Sequence, residues 1–408
     1  MRSKMAVSLF TVRALLLTFS TAVSVYTQNY RIFFGDLHSH TSFSDGQGTP
    51  SEAYIQAREH GADFLAVTDH SYNSTRFFFD STITIADQHT TEDFVAIAGF
   101  EMTKSWGHIN VLNSKWYEWK NIDRDSFYTL LVNDSTCIAQ WNHPTERYDE
   151  FNKFRDYSLE LDRVINLIEI INMRRNLSYE SSYIKALDQG WHVAPTANSD
   201  SHNKEWIKAY RTRTAILATD LTREKLFEAL KKCRVYSTEN NNLQIHYSIN
   251  DSIMGSILHR PSQCLVKVNI FDPDTFDIYD KITSVQIIAN GGEIVASIPC
   301  MDHKVQWTHS FDKKSRSFTY YYVKVKNFRG EYAFTAPIWI EGHAELEKPA
   351  TLEPNRKMAV YDISGRLIYN RQLQDLCKLP QRLPSGVYII QRSGSTKGGS
   401  EKFMTLLQ

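Results

Sequence analysis

The chain has 408 residues, enough for two or three domains, and its 46 Lys and Arg against 46 Asp and Glu leave a formal charge of zero. That balance excludes a global field drawing it to nucleic acid or to an anionic membrane. Aromatic residues make up 12%, enough for large cores.

Arg2 and Lys4, an apolar run from Ala14 to Val25 and small residues around Ala22 to Ser24 read as a Sec signal peptide over residues 1–27. The run is too short for a stable span, and no later segment reaches about 18 consecutive apolar residues. The mature protein is therefore expected to carry no transmembrane segment. Cys137, Cys233, Cys264, Cys300 and Cys377 are scattered and lack Cys-x-x-Cys spacing, which argues against a thiolate zinc site and a disulfide framework. Cys264 with Cys300 is the only pairing to consider.

Next comes strand followed by helix, repeatedly. Arg31 to Phe34 reads as a short buried strand, leading into Gly35-Asp36-Leu37-His38-Ser39-His40-Thr41-Ser42-Phe43-Ser44-Asp45-Gly46. If the strand runs on to His40, His38 and His40 point to one face, because side chains alternate with period two. Thr49-Pro50-Ser51-Glu52 is a helix start with cap, first-turn proline and capping box, and Gly61 suits the C-terminal cap. Further strands run from Phe64 to Val67, Phe94 to Ala98, Cys137 to Trp141, Ile165 to Ile171, His192 to Ala197 and Thr214 to Ala218, with Ile109 to Leu112 an added strand or hairpin arm. A helix spans Thr222 to Lys232. Seven main apolar strands separated by helix-length segments predict a parallel sheet covered on both faces, more readily a closed barrel than an open sheet.

In such folds reactive groups gather at the C-terminal strand ends. His38 and His40, His70, Glu101, His143, and Asp200 with His202 all fall there. With Asp45 and His108 they make nine candidate metal ligands. Each alone has an ordinary explanation: His108 as a turn residue, His143 as a loop histidine before Pro144, Asp200 as a helix cap. Together they are imidazole and carboxylate without thiolate, which suits Zn, Mn or Fe. Nine ligands exceed one ion's needs and fit two or three divalent ions with a bridging carboxylate. Paired ions bring a water's pKa down toward about 7 and neutralise charge on a displaced phosphoryl oxygen. A small phosphorylated compound is the natural substrate, attacked by a metal-activated hydroxide. Glu101, Asp200 and His202 are the candidate catalytic residues; Arg174, Arg175 and Lys204 are candidate phosphate contacts.

From Glu239 the helical pattern disappears and alternating stretches follow, with a hairpin turn at Asn290-Gly291-Gly292. Residues 239–343 are expected to form a small β-sandwich, a packing or carbohydrate-facing accessory domain without a metal-ligand cluster. A linker covers 344–355, and a short all-β module 356–408.

The sequence resembles the PHP (polymerase and histidinol phosphatase) family of metal-dependent phosphoesterases over about Phe34 to Ser237. The matching segments are His38-Ser39-His40 with Ser44-Asp45-Gly46, Thr68-Asp69-His70, Glu101, Gly107-His108-Ile109-Asn110, Asn142-His143-Pro144 and Asp200-Ser201-His202. It is most similar to the secreted or periplasmic branch labelled CehA/McbA-like. The resemblance implies an α/β fold over residues 31–238, a distorted seven-stranded (β/α) barrel. It also implies one metal on His38, His40, Glu101 and Asp200, a second bridged by Glu101 and held by His108 and His143, and a third on Asp45, His70 and His202. Val360-Tyr361-Asp362-Ile363-Ser364-Gly365-Arg366 and Leu383-Pro384-Ser385-Gly386-Val387-Tyr388 resemble a type IX secretion sorting domain. That implies secretion or cell-surface display through the type IX machinery, with the periplasm crossed in transit. Two rival readings stand: hydrolysis of an amide, carbamate or carboxyl ester by the same chemistry, and a non-catalytic surface protein that binds glycan or a partner.

Overall fold

The structure is a computed structural model that describes residues 29–117, 122–145, 150–173, 177–259, 261–312 and 319–341, and the backbone of four further strands between 357 and 407. The expected signal peptide, the expected linker, Arg174, Arg175, Cys377, and the Ser364-Gly365-Arg366 and Leu383-Pro384-Ser385 stretches lie outside the described residues. The chain divides into two compact units, the first comprising 1–256, 265–310 and 320–338, the second 257–264, 311–319 and 339–408.

The first unit is mixed α/β around a large sheet. Its elements are β1 (Arg31–Asp36), α1 (Pro50–Glu59), β2 (Phe64–Val67), α2 (Arg76–His89), β3 (Val95–Lys104), β4 (Gly107–Leu112), α3 (Arg124–Asn133), β5 (Ile138–Asn142), the short turns α4 (Glu150–Lys153) and α5 (Leu159–Asp162), β6 (Ile165–Asn172), β7 (Leu177–Ser178), α6 (Glu180–Asp188), β8 (Ala194–Asn198), β9 (Arg213–Ala218), α7 (Arg223–Lys231) and β10 (Val235–Thr238). The sheet runs β10-β9-β1-β2-β3-β4-β5-β6, with β8 on β6. The sequence predicts a parallel sheet with Ile109 to Leu112 as an added strand or hairpin arm; the pairing shows the hairpin arm and corrects the parallel order at β5 and β9. β3 and β4 form a tight antiparallel hairpin closing at Lys104↔Gly107, β4 pairs antiparallel with β5, and β9 lies antiparallel to β1. A parallel return needs a covering crossover. Neither the two-residue turn after β3 nor the helix-free stretch 199–212 before β9 supplies one.

The register is tight beside the histidines. Gly35 pairs with Phe64, and a Cβ at Gly35 would stand 2.1 Å from the Phe64 carbonyl oxygen. α1 starts as expected: Thr49 and Glu52 form the capping box behind Pro50. Its face of Ala53, Tyr54 and Ala57 packs against Leu65, Val67, Phe94 and Ala96 in one cluster with Trp206. Fully burying each large apolar side chain there contributes roughly 1.5–3 kcal/mol. The Trp206 indole N–H then reaches out of this core to the His40 carbonyl at 3.1 Å, tying the packing to the candidate ligands.

β8, at one end of the run, meets β9, next to its other end, through a side chain. Thr214 Oγ1 accepts the Ala197 N–H at 3.1 Å and stands 3.0 Å from both the Ala197 carbonyl and Asn198 Oδ1.

β10 continues by antiparallel pairing with β19 (Tyr332–Thr335), so sheet pairing crosses the expected boundary near residue 239. In that later region β11 (Gln244–Ile249), β12 (Ser252–Ile253), β14 (Gln263–Phe271) and β17 (Lys304–Asp312) form a second sheet, and β15 (Ile282–Ala289) pairs with both β16 (Ile294–Asp302) and β18 (Tyr320–Asn327). The expected absence of a metal-ligand cluster there does not hold: Asp272, Asp274 and Asp280 come within 4.8 Å of one another. Neighbours engage all three, with Arg211 2.7 Å from Asp280, Asn240 2.8 Å from Asp272 and Asn242 3.1 Å from Asp274.

In the second unit β13 (Ile257–His259) runs parallel to β20 (Ile338–Glu341). The strands β21 (Lys357–Asp362), β22 (Leu367–Gln372), β23 (Gly386–Ser393) and β24 (Ser400–Leu407) form an antiparallel sheet in the order β22-β21-β23-β24. Cys137, Cys233, Cys264 and Cys300 form no disulfide among the described residues, so the Cys264–Cys300 pairing is not made. No helix among the described residues is long and apolar enough to cross a membrane.

The seam gives a test. Thr214→Val keeps the side-chain shape but leaves the buried Ala197 N–H without its acceptor. The variant should lose about 1–3 kcal/mol, read as a lower denaturant midpoint at unchanged slope.

Candidate metal centre

β1 stops at Asp36 and the chain bends at Leu37, but single hydrogen bonds keep the next residues alongside the segment after β8. His38 N–H donates to Asp36 Oδ1 at 2.8 Å, Asp200 N–H to the His38 carbonyl at 3.0 Å, and His40 N–H to the Ser201 carbonyl at 2.9 Å. An isolated bridge pairs Ser39 with Ser201. The two imidazoles thus share a face, with Nε2 atoms 3.2 Å apart.

Glu101, in β3, lies at the centre and is fully buried. Its Oε1 stands 3.4 Å from His38 Nε2, 3.2 Å from His108 Nδ1 and 3.4 Å from His143 Nε2. Its Oε2 stands 2.5 Å from His70 Nδ1 and 3.7 Å from His40 Nε2. The hairpin delivers His108 beside it: His108 pairs with Thr103 across one ladder and Asn142 across the other. Asp200 Oδ1 lies 3.2 Å from His40 Nε2 and 3.5 Å from His38 Nε2. Asp45 Oδ1 lies 3.3 Å from His202 Nε2 and 3.7 Å from His70 Nε2, and its side chain alone is substantially exposed, at 38%.

All nine sequence candidates therefore converge. Their ligand atoms form four overlapping groups, each within 4.8 Å: His40, Asp45, His70 and His202; His38, His143 and Asp200; His38, His40 and Glu101; Glu101, His108 and His143. Two ligands sit on left-handed backbone, His143 at φ 31° and Asp200 at φ 51°. Of the candidate phosphate contacts, Lys204 alone lies among the described residues. Lys204 Nζ is 2.7 Å from Glu52 Oε1, half exposed, on the rim of α1.

Sequence reasoning missed the carboxylates beneath the ligands. Asp69 accepts from Thr41 N–H, Thr41 Oγ1 and Ser44 Oγ at 2.6–2.7 Å, pinning the loop that presents Asp45. Asp36 accepts from His38 N–H and, at 2.9 Å, from Ser199 N–H, clamping the two ligand-bearing strand ends together. Glu169 stands 3.0 Å from His38 Nδ1. Their signal was available: Asp69 follows and Glu169 interrupts a strand buried throughout, and Asp36 ends an apolar strand, places where a charge has to be paired.

The electrostatics follow from burial and neighbours. Burial pushes Asp36 up to about 6 against the hydrogen bonds it accepts. Burial would raise Glu101 too, but the imidazoles of His70, His108 and His38 outweigh it and hold the carboxyl well below its usual range. Burial would likewise depress His38, yet Asp200, Glu169 and Glu101 raise it well above the ordinary imidazole value. His40 goes the other way, lowered by burial and by His70. Six imidazoles and three carboxylates are too polar a set to bury unless they pair or coordinate. A divalent ion suits the donor chemistry, with imidazole nitrogen and carboxylate oxygen as ligands.

No protein-family model matches the sequence. Two curated proteins described as uncharacterized, from Chlamydia muridarum and Chlamydia trachomatis, are 25% identical over 138 residues, 31% of this chain. The chain spans only 22% of the length of those relatives. The structure is similar to a two-domain protein from Bacteroides vulgatus containing a PHP-like domain assigned as a metal-dependent phosphoesterase, at TM-score 0.45 and 17% identity, covering 73% of this chain and 90% of that one. A protein from Bifidobacterium adolescentis, also assigned as a metal-dependent phosphoesterase, matches at TM-score 0.30 and 15% identity, over 41% of this chain and 87% of its own. An amidohydrolase from Chromobacterium violaceum, with sulfate bound and no metal, matches at 0.25 and 16% over the same shares.

One consequence concerns acid. Burial would raise Asp200, but His38 and His40 hold it well below its ordinary value. A depressed carboxyl contributes stability above its unfolded pKa of about 4 and loses it as pH falls toward the folded value. Chelator-treated wild-type protein should therefore lose stability more steeply below pH ~4 than Asp200→Asn, in denaturant titrations at stepped pH.

Proposed function

We propose that the chain is a metal-dependent phosphoesterase of the PHP type, acting on a small phosphorylated compound at a centre of two or three divalent ions. The observation that carries this reading is Glu101: one buried carboxylate whose two oxygens face different imidazoles, Oε1 toward His38, His108 and His143, Oε2 toward His40 and His70. That is the arrangement one carboxylate needs to serve two ions. His38, His40, Asp200 and Glu101 would hold the first ion, Glu101, His108 and His143 the second, and Asp45, His70 and His202 the third. Such ions, when bound, supply an acidified water and offset the charge of a displaced phosphoryl oxygen.

The protein's own groups set the geometry. His202 Nδ1 donates to the Asp200 carbonyl at 2.9 Å, which leaves Nε2 free to face Asp45. Asp69, by holding Thr41 and Ser44, keeps Asp45 on the solvent side of the cluster, where substrate arrives. The contact of β8 with β9 through Thr214, which brings the last strands of the run back beside its first, supports reading residues 31–238 as the family's distorted seven-stranded barrel. The proposal extends to export, on the strength of the signal-like residues 1–27 and the sorting-like residues 356–408. The β region between would be an accessory domain.

Purified protein assayed on nitrophenyl phosphomonoester, phosphodiester and carboxyl ester should turn over a phosphoester, lose that activity to a chelator and recover it with Zn or Mn. Turnover of the carboxyl compound alone would move the assignment to amide, carbamate or ester hydrolysis. Fewer than one ion per chain under replete conditions would move it to a non-catalytic binding protein.

Glu101 and Asp45 should also differ. Glu101→Gln is expected to abolish activity with loss of more than one ion, because Glu101 belongs to two of the ligand groups. Asp45→Asn should retain more of both, and equal residual rates at equal metal content would remove the bridging role.

A further inference from the structure

Glu169 is the one charged residue of β6, a strand buried at every position. Both of its oxygens are fully used. Oε1 stands 3.0 Å from His38 Nδ1 and accepts from Asn198 Nδ2 at 3.0 Å. Oε2 accepts the His143 backbone N–H at 2.9 Å and Asn172 Nδ2 at 2.9 Å. A carboxylate is an acceptor only, so His38 carries a proton on Nδ1 and presents Nε2 to the cluster. His143, at φ 31°, is a left-handed residue whose N–H is anchored by the same group. Asn172 passes the contact on, reaching Asp200 Oδ2 at 3.3 Å.

Resting on the metal-centre reading, we propose that Glu169 is the positioning residue of this centre. It fixes which nitrogen of His38 faces the metal and holds the backbone that aims His143, without itself touching an ion. The proposal also says which ligands depend on it. His38 or His143 belongs to three of the four groups, and neither belongs to the group of His40, Asp45, His70 and His202. Loss of Glu169 should weaken the first three and spare the fourth.

Glu169→Gln isolates the point. Whichever way the new amide turns, its NH₂ meets two donors. One orientation faces His143 N–H, which cannot reverse; the other faces His38 Nδ1, which is relieved only if the proton moves to Nε2 and blocks that lone pair. Outer hydrogen-bond partners of ligating histidines typically govern 10–100-fold in metal affinity. Zinc titration of chelated protein should show that loss in Glu169→Gln for every ion but one. Nitrogen-15 histidine NMR of wild-type protein should show a slowly exchanging N–H on His38 Nδ1, absent or moved to Nε2 in the variant.

Zinc number and affinity unchanged in Glu169→Gln would overturn the proposal, as would a wild-type His38 without a proton on Nδ1. A purely structural role predicts instead an even loss over all ions that tracks a lowered melting temperature, and that result also overturns it. If the variant does not fold, the wild-type spectrum decides. If wild-type protein takes up no zinc, the proposed function fails, and the His38 signal of the metal-free protein still upholds or overturns the role of Glu169.

Discussion

A carboxylate buried at zero exposure among imidazoles, Glu101, is the constraint on which the rest of the fold depends. Such a group costs several kcal/mol to desolvate unless it is paired on all sides. The chain pairs it from four directions. The segment after β1 brings His38 and His40, the loop after β2 brings His70, the β3–β4 hairpin folds His108 back across it, and β5 ends in Asn142 with His143 just beyond, Asn142 Nδ2 lying 2.9 Å from Oε1. The antiparallel insertion of β4 makes sense in this light. A hairpin places a histidine opposite the neighbouring strand at a fixed cross-strand distance, whereas a helical crossover would carry the next strand end a full unit further round.

Beneath the ligands lies a second tier of acids. Asp36, Asp69 and Glu169 each accept backbone N–H groups as well as side-chain or ring donors nearby. They convert loop backbone at strand ends, which would otherwise leave donors unsatisfied inside the protein, into rigid mounts for the imidazoles. The left-handed His143 and Asp200 are affordable on the same account: each has its N–H fixed, by Glu169 Oε2 and by the His38 carbonyl. Strain of this kind persists only where the surroundings over-determine it.

The candidate ligands were legible because their signal is local: a histidine or acid just after an apolar run marks a strand end. The helix start at Thr49 was legible for the same reason, since cap, proline and Glu52 lie within four residues. Sheet order was not. Nor was the need for Gly107 at the head of β4: its φ is +142°, and a Cβ there would stand 2.1 Å from the ring of Phe151, 44 residues away. Glu169 was visible as an oddity in an apolar run, but what it was for required knowing that β6 lies beside β5 and β8. The Asp272, Asp274 and Asp280 knot was hidden differently, because its neutralising partner Arg211 belongs to the segment before β9.

Asp45 stands apart from the other candidate ligands in one respect: its side chain is substantially exposed, and water reaches it. Glu101 and His38, a few ångströms away, see none. The centre therefore spans two dielectric regimes. Charge added or removed at the Glu101 end is felt nearly unscreened, while the same charge at the Asp45 end is damped several-fold by solvent. One cluster in this way joins an end where every charge must be matched by a neighbour to an end where solvent does part of the matching.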